Sequence, residues 1–137
     1  MRVVLDTNVM ISGIFFPKGA PRKIVEAWKH KKFKIVVSPI ILEEYKDTLE
    51  DFASRYSLAD VAEFFKLVVL NSEYCQAESL PKKVCADPDD DKFIACAFVS
   101  KTKIIVSGDK HLLNVSGYRG INVLTPRQFV ETYPHIF

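Results

Sequence analysis

Three runs of apolar, mostly β-branched residues constrain the fold of this chain more than any other feature. They lie within residues 2–5, 35–37 and 103–106, and each is too short to form a helix. A strand that is apolar throughout is buried on both faces, which is typical of a parallel sheet between helices. Helical patterns separate these runs along the chain. The sequence therefore predicts an α/β three-layer sandwich with a mainly parallel central sheet flanked by helices.

The remaining elements follow from capping signals and periodicity. Ser38 and Pro39 are typical of an N-cap and a first helical residue, and Thr125 and Pro126 repeat that signal. Residues 69–74 do not distinguish a short strand from other structure, and 76–86 are predicted to be a loop. We expect a fourth strand at 121–124, and helices over 22–32, from 39 to about 52, over 58–68, from 87 through 98, and from 126 to about 133.

Length and composition set the class of protein. A chain of 137 residues fits one domain, so we expect residues 1–137 to form a single unit with one core. Its 48% hydrophobic and 26% charged residues exclude wholesale disorder. The apolar stretches are too short to span a bilayer, and no signal-peptide pattern is present. Three cysteines without CxxC spacing argue against a disulfide scaffold, so we expect a cytoplasmic protein that has no membrane partner.

Acidic residues stand where the predicted strands end. Asp6 follows the first strand, Asp109 follows the third long one, Glu43 and Glu44 lie on the helix after the second, and acids crowd residues 87–91. Parallel strands bring their carboxyl ends to one edge of a sheet, where ligands bind. Converging carboxylates repel one another unless they share a cation or a proton. Oxygen ligands favour Mg²⁺ or Mn²⁺, and a carboxylate-held metal pair suits phosphodiester hydrolysis.

Other acidic or phosphate-binding sites fit this chain poorly. An EF-hand that began at Asp87 would need glycine where Lys92 stands and glutamate where Phe98 stands. The glycines form neither a P-loop nor a GxGxxG motif. A phosphatase of the haloacid dehalogenase type would need a second aspartate where Asn8 stands, and the paired acids and the lysine of a response-regulator receiver are not seen.

Four segments, in order and spacing, resemble the motifs of PIN-domain nucleases. The resemblance spans nearly the whole chain and extends to the small prokaryotic VapC-like toxins of toxin–antitoxin pairs. The segments are Asp6-Thr7-Asn8-Val9, Glu43-Glu44-Tyr45 after the second strand, Asp87-Pro88-Asp89-Asp90-Asp91-Lys92-Phe93-Ile94, and Ser107-Gly108-Asp109-Lys110-His111 after the third.

The resemblance implies a metal-dependent endoribonuclease that holds Mg²⁺ or Mn²⁺. It implies that the catalytic and metal-binding acids are Asp6, Glu44, Asp91 and Asp109, with Asp89 as an extra ligand. Glu44 is preferred over Glu43 because it directly precedes an apolar residue, and Asp91 because the family's helix pattern follows it. By the same resemblance, hydrogen bonds from Asn8, Ser107 and Thr7 support the site, although turn and cap chemistry explains the first two equally well. His111 is interpreted as a surface residue at the start of a helix.

The distribution of charge and the resemblance together predict the substrate and the partners. The net charge is +2, yet seven of the eight charged residues between Lys18 and Lys34 are basic, which suits a polyanion. Arg22, Lys23 and Lys110 are the predicted nucleic-acid contacts. The preference for RNA, a homodimer and an antitoxin partner are implied by the resemblance alone. A DNA-directed nuclease and a non-catalytic scaffold that binds RNA or protein stay open as alternatives.

Overall fold

The computed structural model describes residues 1–56, 61–77, 80 and 82–137. These residues form a five-stranded sheet in the order β3-β2-β1-β4-β5, in which every pair of neighbours is parallel. This confirms the predicted α/β class and the parallel central sheet. The strands are β1 (Arg2–Leu5), β2 (Lys34–Val37), β3 (Glu73–Tyr74), β4 (Ile104–Val106) and β5 (Asn122–Leu124).

Helices flank this sheet on the described part of the chain. Short 3₁₀ turns at Pro88–Asp90, Tyr118–Gly120 and Pro134–Ile136 accompany them. The helices are α1 (Thr7–Phe15), α2 (Ala20–Lys29), α3 (Pro39–Tyr56), α4 (Val61–Asn71), α5 (Asp91–Ser100), α6 (Lys110–Leu113) and α7 (Pro126–Thr132).

Several helix boundaries differ from the sequence prediction for identifiable reasons. The helix predicted over 22–32 ends at Lys29, because Lys31 has a φ of 60° and leaves the helical region. The helix predicted over 58–68 is observed as α4, and residues 57–60 lie outside the described residues. A 3₁₀ turn, not an α-helical turn, precedes α5. The helix α1 was not predicted, because the strand-end motif Asp6-Thr7-Asn8 was interpreted as a turn.

Capping predictions are confirmed at both proline-started helices. The Ser38 hydroxyl accepts a hydrogen bond from the Ile41 N–H at 3.4 Å, and Thr125 and Gln128 form a reciprocal capping box.

Large buried side chains fill the core between the sheet and the helices. Tyr45 on α3 is fully buried, and its hydroxyl donates to the Leu5 carbonyl at the end of β1. This bond fixes α3 beside the carboxyl edge of the sheet. Glu44, which precedes Tyr45 on α3, is therefore held at the same edge.

None of the helices in the described ranges is long and apolar enough to cross a membrane.

Candidate metal centre

The register of the sheet brings the first and last acidic motifs together. Leu5 pairs with Val106, so Asp6 and Ser107 lie side by side beyond the strand ends. The Ser107 hydroxyl donates to Asp6 Oδ2 at 2.6 Å and accepts from the Asp109 N–H at 2.9 Å. A single buried hydroxyl thus links two of the predicted site acids.

Asp6 is buried in an environment that disfavours its charge. Burial raises the pKa of Asp6, the Ser107 hydrogen bond lowers it, and the charges of Asp109 and Glu44 raise it again. Only 6% of Asp6 is exposed. A neighbouring cation would stabilise the ionised form of a carboxylate in this environment.

Asp90 is the third acid of this group. It ends the 3₁₀ turn Pro88–Asp90, and its Oδ2 is buried without a hydrogen-bond donor among the described residues. Burial raises the pKa of Asp90 to about 6, and the charges of Asp109, Asp87 and Asp6 add to the shift. A buried carboxylate oxygen without a hydrogen-bond donor, close to other acids, fits a neighbouring cation.

Asp91 takes a different place from the one expected of a metal ligand. Its Oδ2 accepts the Val84 N–H at 2.9 Å and its Oδ1 accepts the Cys85 N–H at 2.7 Å. Both oxygens therefore hold the preceding loop to the start of α5. Successive residues at a helix start point about 100° apart, so Asp90 and Asp91 cannot both face the site. The sequence interpretation preferred Asp91 in this position, and the structure brings Asp90 there instead.

Glu44 faces the same edge of the sheet, whereas Glu43 is exposed. One oxygen of Glu44 accepts from the buried Thr7 hydroxyl, and the other accepts from the Lys92 ammonium. The Lys92 Nζ also lies 3.2 Å from Asp89 Oδ1. The sequence motif gave Lys92 no role of its own. The structure places its ammonium between Glu44 and Asp89.

His111 reaches the acidic group rather than pointing away from it. Its Nδ1 lies 3.6 Å from both Asp90 Oδ2 and Asp109 Oδ1. Asp87, Asp90 and His111 offer ligand atoms that all lie within 4.8 Å of one another. His111 lies at the start of α6 with 38% of its side chain exposed, as predicted, and its imidazole also contacts the acids. The signal that pointed to this contact was its spacing, two residues after Asp109.

Comparison with known proteins agrees with this geometry. A family model described as PIN domain matches residues 2–111, which contain every acid named above. The chain belongs to the PIN domain family. It is also 34% identical over 143 aligned residues to the uncharacterized protein MJ1680 of Methanocaldococcus jannaschii, covering 97% of this chain and 92% of the relative. PIN domains are generally metal-dependent nucleases, and the acidic cluster of this one could hold a metal.

The residues at this edge of the PIN domain fit a divalent cation. Asp87, Asp90 and His111 offer ligand atoms within 4.8 Å of one another. Asp109 Oδ1 lies 3.6 Å from the same His111 nitrogen, and the Ser107 hydroxyl connects Asp109 to Asp6. Burial, and then the charges of acidic neighbours, raise the pKa of Asp6 and of Asp90. Hard oxygen donors suit Mg²⁺ and Mn²⁺, while the nearby imidazole of His111 adds a nitrogen that Mn²⁺ accepts more readily. The orphaned Asp90 oxygen gives this fit an observation that is independent of the family.

The other predicted residues of the PIN site have distinct surroundings. Asn8 is exposed on the first turn of α1, and Asp89 is exposed next to Lys92. Lys110 is exposed directly after Asp109. Arg22 donates to the Ile14 carbonyl at 3.3 Å near the far end of α1 and pairs with Glu26, while Lys23 is exposed on the same helix.

Proposed function

We propose that this PIN domain is a metal-dependent endoribonuclease that hydrolyses RNA phosphodiester bonds. The observation that carries the proposal is the buried Asp90 Oδ2, which has no hydrogen-bond donor among the described residues and lies in a cluster with Asp87 and His111. A fold retains such a group of like charges when a cation compensates them in the working state.

The side chains divide the work of the site. Asp6, Asp90 and Asp109 would hold Mg²⁺ or Mn²⁺, which when bound polarises a phosphoryl oxygen and activates water for attack. Ser107 fixes the Asp6 carboxylate by donating to its Oδ2. Asp91 acts through the backbone, because its hold on the Val84 and Cys85 N–H groups fixes the turn that presents Asp90. Asp91 is thus proposed as a positioning residue in place of the ligand role first expected.

The substrate is proposed to be RNA, and the resemblance to VapC-like proteins supports this choice over DNA. Lys110 is the predicted phosphate contact nearest the acids, because it directly follows Asp109 and is exposed. Lys23 is exposed, and the charge of Arg22 is partly neutralised by Glu26. We expect Lys110 to contribute more to phosphate binding than Arg22.

The toxin role, an antitoxin partner and a cytoplasmic location are further proposals. A groove of about 520 Å³ is lined by apolar residues that include Pro39, Ile40 and Leu80, and by charged ones: Lys82, Lys83, Asp89, Asp91 and Lys92. An antitoxin segment is proposed to place apolar residues against this groove and a basic residue towards the acids.

A homodimer is proposed from the family resemblance. Two aromatic residues near loops and the chain end pack within the chain: the Phe15 ring stacks on Phe52, and the Phe137 ring packs edge-on against Phe129. Phe16 remains half-exposed and is the best local candidate for a dimer contact.

The test of the function is cleavage of a mixture of structured and single-stranded RNAs with Mg²⁺, Mn²⁺ or EDTA. We expect metal-dependent cleavage by the wild type, loss of cleavage in Asp90→Asn, and retained cleavage in the matched surface control Glu43→Gln. Cleavage of DNA alone would favour the DNA-directed alternative. A folded, metal-binding wild type that cleaves neither polymer would favour the non-catalytic scaffold.

A further inference from the structure

The acidic edge of the sheet is divided into two parts that differ in how their charge is compensated. In one part, Asp87 and Asp90 lie close to His111, Asp109 lies 3.6 Å from the same imidazole nitrogen, and Ser107 connects Asp109 to Asp6. No lysine or arginine among the described residues forms an ion pair with these acids. In the other part, Glu44 and Asp89 share the ammonium of Lys92. The first part needs a cation from solution, and the second part already has one.

Lys92 is held firmly in its position. Only 9% of its side chain is exposed, and its Nζ lies 5.8 Å from the centroid of the Phe93 ring. Asp89 is its i−3 neighbour, so the Lys92–Asp89 contact follows from the local turn. Its Nζ contacts carboxylate oxygens of both Glu44 and Asp89. Two carboxylates therefore surround the Lys92 ammonium.

Glu44 is correspondingly occupied. The Thr7 hydroxyl donates to one of its oxygens and Lys92 donates to the other. A divalent ion that bound Glu44 would have to displace this ammonium or lie against it, and like charges at such distances repel strongly. By contrast, the Asp90 Oδ2 has no donor to displace among the described residues.

We propose that Lys92 is the resident second cation of the site, which pairs with Glu44 and leaves room for one divalent ion at Asp6, Asp90 and Asp109. This inference rests on the proposed nuclease function and deepens it. The expected consequence is that Lys92 would add a fixed positive charge to the one supplied by a single divalent ion when that ion is bound. Lys92 then supplies a charge that a second metal ion supplies in two-metal sites.

The experiment titrates Mn²⁺ into full-length protein that has first been freed of metal, at pH 7.5. Electron paramagnetic resonance measures the free ion, and the bound ion is the difference from the total added. We expect one Mn²⁺ per chain for the wild type. Lys92→Met leaves Glu44 and Asp89 without their cation, so we expect a second Mn²⁺ per chain in this variant. Two ions on the wild type, or one ion on Lys92→Met, would overturn the proposal.

A double variant keeps the test decisive if Lys92→Met does not fold. Glu44→Gln with Lys92→Met removes both charges of the pair together, so we expect one Mn²⁺ per chain with a Kd within about threefold of the wild type. Loss of that ion would show that Glu44 is a metal ligand and would refute the proposal. The outcome is separable from the nuclease assay: one bound Mn²⁺ without RNA cleavage removes the proposed function alone, and RNA cleavage with two bound ions removes this inference alone. A wild type that binds no Mn²⁺ removes both.

Discussion

Replacing Asp90 with asparagine should stabilise the metal-free protein even though it removes a residue of the site. The side chain of Asp90 is 15% exposed, and burial together with Asp109, Asp87 and Asp6 raises its pKa from 3.8 to about 6. Each pKa unit corresponds to about 1.4 kcal/mol, so the ionised carboxylate costs the folded state up to about 3 kcal/mol at neutral pH. Asparagine keeps the shape of the side chain and removes that charge.

The stabilisation expected from Asp90→Asn depends on pH. Above about pH 6 the wild-type Asp90 is ionised in both the folded and the unfolded chain, and the full cost is present. As the pH falls from about 6 to about 4, the folded chain takes up the proton first and the cost disappears. Asp90→Asn should therefore raise Tm by roughly 3–10 °C at pH 8 in EDTA, and the gain should shrink towards zero at pH 4.

The matched control is the neighbouring substitution Asp91→Asn, measured by thermal unfolding under the same conditions. The Asp91 carboxylate accepts two backbone N–H groups, and an amide nitrogen in place of one oxygen would leave one of them unpaired. We expect the free energy of unfolding to fall by about 1–3 kcal/mol. The reasoning is refuted if Asp90→Asn lowers Tm at pH 8, or if both variants shift Tm in the same direction by similar amounts.

Three further results are expected from the same structure. Tyr45→Phe should lower the free energy of unfolding by about 1 kcal/mol in urea titration, since the Leu5 carbonyl loses its buried donor, and an unchanged midpoint would contradict this. Gly13→Ala should cost about 1–3 kcal/mol in the same assay, because an added Cβ would lie 2.3 Å from Val25 Cγ2, and a gain in stability would contradict the close packing. His111→Asn should weaken Mn²⁺ binding more than Mg²⁺ binding in calorimetric titrations, as expected if its imidazole is a ligand, and equal losses would exclude that role.

The sequence allowed prediction of those parts of the molecule that depend on periodicity and strand order. The last three residues of β1 and of β2, and all three residues of β4, are apolar and buried, which is typical of strands inside a covered parallel sheet. That arrangement alone placed Asp6 and Asp109 at one edge. The weak strand β3 spans only Glu73–Tyr74 and carries no such pattern, which is why it stayed ambiguous.

The sequence could not decide which acid of the run at 87–91 faces the site. The choice depends on a single 3₁₀ turn, which rotates Asp90 towards Asp109 and Asp91 towards the Val84 and Cys85 N–H groups. Hydrogen bonds to the irregular loop before α5 leave no trace in a pattern of apolar residues. The contacts of Lys92 were missed for a related reason, because the partner of a lysine depends on side-chain packing rather than on spacing.

The measurement that tests the account most directly is the Mn²⁺ affinity of the wild type, Asp90→Asn and Asp91→Asn, each confirmed as folded by circular dichroism at the temperature used. The account predicts that Asp90→Asn weakens Mn²⁺ binding by roughly a hundredfold or more, about 3 kcal/mol. It predicts a change of no more than a few fold for Asp91→Asn. Retained affinity in folded Asp90→Asn, with loss of affinity in folded Asp91→Asn, would contradict it.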